Sequence, residues 1–99
     1  MVIEIARFQV EPSVQDKFFE SFTKVRVYLE KAEGYLSHVI SQEIENPSCI
    51  CLMVEWRSYE DHVEIFEPSG EHDIFLNALM PFVNRQPEVL HYSTLSTAV

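Results

Sequence analysis

Between Val2 and Val10 the chain reads VIEIARFQV, with Val2, Glu4, Ala6, Phe8 and Val10 on one side of an extended backbone and Ile3, Ile5, Arg7 and Gln9 on the other. Side chains alternate along a strand, so this pattern predicts a strand with both faces partly covered. Pro12 ends it, and Ser13 with Asp16 three residues later makes a capping-box-like helix start. Val14, Phe18, Phe22, Val25, Leu29 and Ala32 then recur at steps of three and four, the spacing of one helix face, and predict an amphipathic helix of about five turns. Gly34 follows as its C-terminal stop.

From Tyr35 to Ile44 the alternation returns, with Leu36, His38, Ile40, Gln42 and Ile44 sharing a face. Glu45-Asn46-Pro47-Ser48 is a turn by composition, so this strand and Cys49–Trp56 should pair as an antiparallel hairpin. The second arm, CICLMVEW, is apolar on both faces until Glu55, which marks a central strand covered on both sides. Ser58 caps a short helix with Asp61 at the box position and with Tyr59, Val63 and Phe66 along one side. Pro68-Ser69-Gly70 breaks it. From Glu71 a further helix carries Phe75, Leu79 and Val83 on one stripe with Ile74, Ala78 and Phe82 beside it, and Pro81 kinks or ends its last turn. Gln86-Pro87 is a linker, and Glu88 to Leu95 (EVLHYSTL) reads as a final strand.

The order β-α-β-β-α-α-β predicts an α+β sandwich of ferredoxin-like type, a four-stranded antiparallel sheet with helices on one face. With 99 residues and no repeat or low-complexity tract, residues 1–99 form one domain near the lower size limit for a self-sufficient core. The helices cover one face of the sheet, yet the central strand is apolar on both. The other face is therefore expected to pack against a second copy in a homodimer, sheet to sheet.

Charge narrows the partners. The formal net charge is -9, and Glu60, Asp61, Glu64, Glu67, Glu71 and Asp73 cluster without a Lys or Arg among them. Nucleic-acid binding depends on cationic side chains displacing counterions, so neither nucleic acid nor an anionic membrane surface is expected as a partner. The acidic cluster itself reads as a solvated helix face. Glu4 and Arg7 stand where a signal peptide needs an apolar run, and no stretch approaches the roughly 20 apolar residues of a membrane span, so a cytoplasmic location is expected. Cys49 and Cys51 form a C-x-C on one strand face, a poor geometry for bridging each other, and read as small apolar residues with reduced thiols. His62, Glu64, His72 and Asp73 are metal-ligand types near one another, but no H-x-x-x-H pair sets two imidazoles on one helix face, and no metal is expected. With two Gly in all, a nucleotide or flavin loop cannot be assembled, and no elbow sequence supports Ser-His-Asp chemistry.

The segment Trp56 to Phe82, WRSYEDHVEIFEPSGEHDIFLNALMPF, followed by PEVLHY over Pro87 to Tyr92, resembles the antibiotic biosynthesis monooxygenase family of the dimeric α/β-barrel superfamily. The resemblance covers nearly the whole chain in element order. It implies that fold and a homodimer closing the barrel. It also implies a small oxidoreductase that needs no cofactor and acts on an aromatic or quinol-like molecule in a pocket between helices and sheet. In polyketide-oxidising members a Trp at the end of the third strand, an Asn one turn upstream, a Tyr in the following helix and an Arg further on surround the substrate. Those positions here hold Trp56, Leu52, His62 and Leu76. His62 replaces a Tyr as a hydrogen-bonding or proton-transferring group, whereas Leu52 and Leu76 cannot stabilise an anion or bind a carbonyl. Haem-degrading members use an Asn, a Trp and a His at positions that hold Arg7, Phe66 and the neighbourhood of Leu76 here, so haem degradation of that type is not expected. His72 lies one turn before Leu76.

A cofactor-free oxygenase must deprotonate an electron-rich phenol or quinol so that the carbanion can pass an electron to dioxygen. That needs a base titrating near neutrality, a dry aromatic pocket and a donor for the developing oxyanion. Candidate bases are His62 and His72. Trp56, Phe66 and Phe75 are candidate walls, and Tyr92 or Arg7 candidate donors. Arg7 also fits an ion pair with Glu55 or Glu43, and His38 and His91 read as structural. The competing reading is a non-catalytic dimeric module that binds a small apolar ligand or serves a stress or regulatory role.

Overall fold

The computed structural model describes residues 1–98. Strands β1 (Val2–Gln9), β2 (Tyr35–Gln42), β3 (Cys49–Trp56) and β4 (Glu88–Ser93) form one antiparallel sheet in the order β2-β3-β1-β4. Helices α1 (Gln15–Glu30) and α2 (Gly70–Leu79) lie on one face, and a π-helical turn at Asp61–Phe66 leads from β3 to α2. This is the α+β arrangement that the hydrophobic pattern predicts. The sheet of one chain is open, with β2 and β4 as its edges. Among the described residues no helix is long and apolar enough to cross a membrane.

Pleating explains which side chains make the core. Ala6, Phe8 and Val10 of the first strand segment and Ile50, Leu52, Val54 and Trp56 of β3 are all buried, and pairing sets Ala6 against Leu52 and Phe8 against Ile50. From above, the expected stripe of α1 delivers Phe18, Phe22 and Leu29, while α2 adds Phe75 and Leu79. Each such buried Leu or Phe contributes roughly 1.5–3 kcal/mol through apolar area removed from water. The rings interlock: Phe22 meets Phe75 at 6.1 Å between centroids and Phe8 meets Phe18 at 5.6 Å.

Three local expectations are corrected. Ser13 does not cap α1, because a 3-10 turn at Pro12–Val14 precedes the helix and no side chain caps it. Gln15 secures the start instead, its side-chain amide donating to the carbonyls of Val10 (3.0 Å) and Pro47 (2.7 Å). In β2 an irregularity between Tyr35 and Ser37 inserts one residue, which leaves Leu36 half-exposed and brings Tyr35 and His38 to the helix side. These two share a hydrogen bond of 2.6 Å. The final strand ends at Ser93, two residues before the expected Leu95. Pro81 ends α2, in a 3-10 turn over Met80–Phe82.

Candidate active site

The site is built where the end of β3 meets the π-helical turn. Two residues five apart are anchored inward. Asp61 accepts two hydrogen bonds from the Arg57 guanidinium (2.9 and 2.8 Å) and one from the Ser58 hydroxyl (2.8 Å), and Phe66 packs on Trp56 at 5.6 Å. Arg57 and, after it, Ser58 hold the Asp61 carboxyl below the usual carboxylate range. On a regular α-helix, positions 61 and 66 would point about 140° apart. The wider turn, marked by Glu67 N–H donating to the His62 carbonyl at 2.8 Å, returns both to the inner side. His62 is carried in with them. The expected stripe of Tyr59, Val63 and Phe66 is therefore replaced by Asp61, His62 and Phe66, and Tyr59 stands half-exposed.

Once inside, the His62 ring stacks on the Trp56 indole (4.9 Å, 22° between planes), and both its nitrogens face polar neighbours. Nε2 lies 3.3 Å from Oε1 of Glu4, and Nδ1 shares a 2.7 Å hydrogen bond with Nε2 of His91. The Trp56 indole N–H donates to the same Glu4 oxygen at 2.9 Å. Glu67 completes the group, with Oε2 at 3.8 Å from His62 Nε2.

Burial sets the protonation of this cluster. The Glu4 carboxyl is pushed up to about 7 because burial disfavours its anion, with Trp56 pulling the other way and the Glu67 charge adding to the rise. His62 is pushed down to about 3, chiefly by burial and then by the neighbouring His91 and His72. Between about pH 3 and 7 the pair thus keeps its proton on the carboxyl and its imidazole neutral. A buried carboxyl that titrates near neutrality is the property a general base needs.

A cavity of about 170 Å³ opens beside the pair, between helices and sheet. Glu4, His62, His72, Phe66, Phe75 and Glu67 contribute to its wall, together with Leu52 and Leu76. Four of the candidates read from sequence are therefore brought together: His62, His72, Phe66 and Phe75. His72 stands edge-on to Phe66 at 5.2 Å, its backbone N–H bonded to the Ser69 cap. Trp56 is fully buried behind Glu4 rather than lining the cavity. Arg7 and Tyr92 are not at this site. Pairing places Tyr92 beside Ile3 on the opposite face of the sheet, and Arg7 is there too, held in an ion pair with Glu43 at 3.1 Å. Among the described residues, no group of three or more His, Cys, Asp or Glu is arranged to hold a metal ion. Both cysteines are free and belong to the outer face. A wider cleft of about 350 Å³ between α1 and the π-helical turn, lined by Tyr28, Lys31 and Ile65 among others, contains no buried acid-base pair.

Glu4 is not among the candidates that the sequence pattern offers, and His91, expected to be structural, is hydrogen-bonded to His62. A signal for Glu4 was present: one carboxylate on a strand face otherwise made of Val2, Ala6, Phe8 and Val10. The role of His91 depends on register, which sets it directly across from Glu4 in the β1–β4 pair.

The family model described as antibiotic biosynthesis monooxygenase matches residues 1–78. The chain belongs to this family. A Bacillus subtilis protein, YczJ, is 29% identical over 92 residues, covering 93% of this chain and 97% of its own. Among solved structures, one from Bordetella bronchiseptica superposes with a TM-score of 0.89 at 22% identity, covering 96% of this chain and 97% of that one. A monooxygenase from Streptomyces coelicolor, solved with the ligand nanaomycin D, gives a TM-score of 0.85 at 17% identity, with 99% and 90% covered. SnoaB of Streptomyces nogalater, described as a cofactor-independent oxygenase, gives 0.76 at 16% identity, with 97% and 94% covered. These likenesses establish the fold. The positions that resemble the family's substrate-binding set converge here as well: Leu52, His62 and Leu76 all reach the cavity wall, and Trp56 backs it.

Proposed function

We propose that the cavity binds an uncharged aromatic or quinol-like molecule and oxidises it with dioxygen, without a cofactor, and that the Glu4–His62 pair is the base. The observation that carries this reading is a buried carboxyl titrating near 7 in the wall of an aromatic-lined cavity. Family membership and the cofactor-independent oxygenase among the structural neighbours support it. The lining residues include Glu4 and Glu67 but no Lys or Arg, so a carboxylate- or phosphate-bearing substrate would meet repulsion with no compensating partner.

The chemistry balances with dioxygen as co-reactant. With an anthrone-type substrate Glu4 takes a proton from the activated CH₂, and the carbanion passes an electron to O₂. Recombination gives a peroxide anion, which takes up a proton and then loses water to leave a carbonyl, so CH₂ + O₂ becomes C=O + H₂O. His72 serves as a second polar contact for substrate, and Phe66 and Phe75 hold the ring. Dioxygen uptake by the purified protein is to be measured against anthrones, naphthols and reduced quinones, with and without EDTA, haem and flavin. Uptake that is insensitive to EDTA and needs no addition is expected. Silence across the panel, with thermal stabilisation by the same compounds, would replace this reading with a non-catalytic binding module.

A homodimer belongs to the same proposal. The sheet face away from the helices leaves Val39 60%, Met53 41%, Leu90 48% and Tyr92 50% exposed, an apolar surface that a second sheet of the same kind would cover. Met53→Glu, at the centre of that face, is expected to shift a dimer to monomer in sedimentation velocity while the far-UV spectrum is kept. A wild-type protein that sediments as a monomer at micromolar concentration would refute it.

A further inference from the structure

We propose that His91 is the outlet of a proton relay that runs from Glu4 through His62 to the β4 edge of the sheet, on the far side of the pair from the cavity. This rests on the oxygenase reading of the cavity but adds a separate path. The cavity extends from Glu4 toward Ala6, Phe8 and Val89, whereas His91 lies the other way, two residues beyond Val89 on the same face of β4. A bound ring that fills the cavity separates Glu4 from the water on that side. The two imidazoles leave a second connection open. Glu4 Oε1, His62 Nε2, His62 Nδ1 and His91 Nε2 follow one another, with gaps of 3.3 and 2.7 Å across the two junctions. His91 is half-buried on an edge strand and meets the half-exposed Tyr59 ring edge-on at 4.8 Å, so the chain ends where water can reach it.

The environment leaves the imidazoles able to pass a proton rather than hold one. From β1 comes Glu4, from β3 the uncharged Trp56 indole, from the π-helical turn and its end His62 and Glu67, from α2 His72, and from the helical residues that lead into the turn Tyr59. Burial lowers His91 as well as His62, with the Glu67 charge opposing it at His91, so both rings rest neutral near pH 7. In the outward step, protonated Glu4 gives its proton to His62 Nε2 as His62 Nδ1–H passes one to His91 Nε2, and His91 Nδ1–H releases one to water. His62 is left as the other tautomer. When the peroxide anion needs its proton, the same chain runs inward and both rings return to their starting tautomers. One proton leaves and one returns per turnover, so the relay leaves the overall proton balance at zero.

Two variants and two readouts test this. His91→Ala opens a space at the outlet, and His91→Gln keeps a hydrogen-bonding side chain that cannot transfer a proton along its length. In dioxygen uptake, kcat of His91→Ala is expected to fall at least about ten-fold with KM kept, and to recover on adding imidazole. A merely structural role would not be rescued by a buffer. Equal turnover in wild type and His91→Ala, indifferent to imidazole, would overturn the relay while leaving the oxygenase intact. The second readout needs no substrate: ¹⁵N spectra of the histidine rings and ¹³C spectra of the Glu4 carboxyl across pH. In the wild type both His62 nitrogens are expected to move with the Glu4 titration, and His91→Gln should fix His62 in one tautomer so that they stop following it. His62 shifts that are the same in both proteins at every pH would refute the relay, including in a protein that consumed no oxygen.

Discussion

Gly34→Ala is expected to lower the stability of the domain by about 2–4 kcal/mol, a fall in Tm of about 10–25 °C. Two causes act at once. Gly34 has φ +83°, a backbone conformation that strains an L side chain by about 1–3 kcal/mol. An added Cβ would also overlap the Asp61 carboxyl and stand 2.6 Å from the Asp61 Cβ. Asp61 cannot swing away without giving up its bonds from Arg57 and Ser58, and Arg57 N–H donates in turn to the Gly34 carbonyl at 2.7 Å. The helix stop, the end of β3 and the mouth of the π-helical turn are thus tied at one point. The check is a double-mutant cycle with Asp61→Gly, which removes the obstructing Cβ and leaves only the strain. Additive costs for the two substitutions would show that the overlap at Asp61 plays no part. Because His62 follows Asp61 directly, the ring-proton shifts of His62 should move in Gly34→Ala as well.

Gly34 was legible as a helix stop, but its second role was not, since Asp61 lies 27 positions away and only the fold brings the two together. The same division runs through the chain. The stripe Phe18, Phe22, Leu29 and the two-faced strand Cys49–Trp56 are local repeats with a fixed period, and the element order and sheet architecture follow from them. The Asp61–Phe66 segment breaks that logic. Its width comes from anchoring Asp61 and Phe66 on one inner side, and no hydrophobic period records a turn one residue wider than an α-helix. His62 consequently reads as a residue at the edge of a stripe, whereas it is buried against Trp56 and Glu4 in the cavity wall. Arg7 and Tyr92 failed as cavity residues because their parity puts them beside Ile3 and Ile5, and a strand's parity assigns two faces without telling which one the helices cover. Glu4 had the right parity and the wrong chemistry for a core strand. An isolated carboxylate on a buried face is the cue that outranks a histidine on a helix.

Replacing Glu4 by Gln is expected to reduce dioxygen uptake by about 10²–10⁴-fold with the fold retained, because the amide oxygen still accepts the Trp56 N–H but takes no proton. The pH dependence of stability tests the same assignment without substrate. Glu4 titrates at about 7 when folded against 4.5 in the free residue, so the folded state holds the extra proton. Its contribution is fully present below about pH 4.5 and is lost as pH rises through 7, a change of about 3 kcal/mol. His62 has the opposite sign. Its folded value of about 3 lies below the free value of 6.5, so its contribution is present above 6.5 and is lost as pH falls toward 3. Between about pH 4.5 and 6.5 the folded pair holds one proton on Glu4 and the unfolded pair one on His62, and the two slopes cancel. Each single variant removes one side of that balance. Relative to wild type, Glu4→Gln should gain stability with rising pH from about 4.5 to 7. His62→Phe, which keeps a ring on Trp56, should lose stability relative to wild type as pH rises from about 3 to 6.5. Urea unfolding across both ranges, taken as differences from wild type so that the other carboxylates drop out, measures both slopes. Parallel curves for all three proteins would mean that Glu4 and His62 titrate as ordinary surface groups, and the base would then have to be sought at His72.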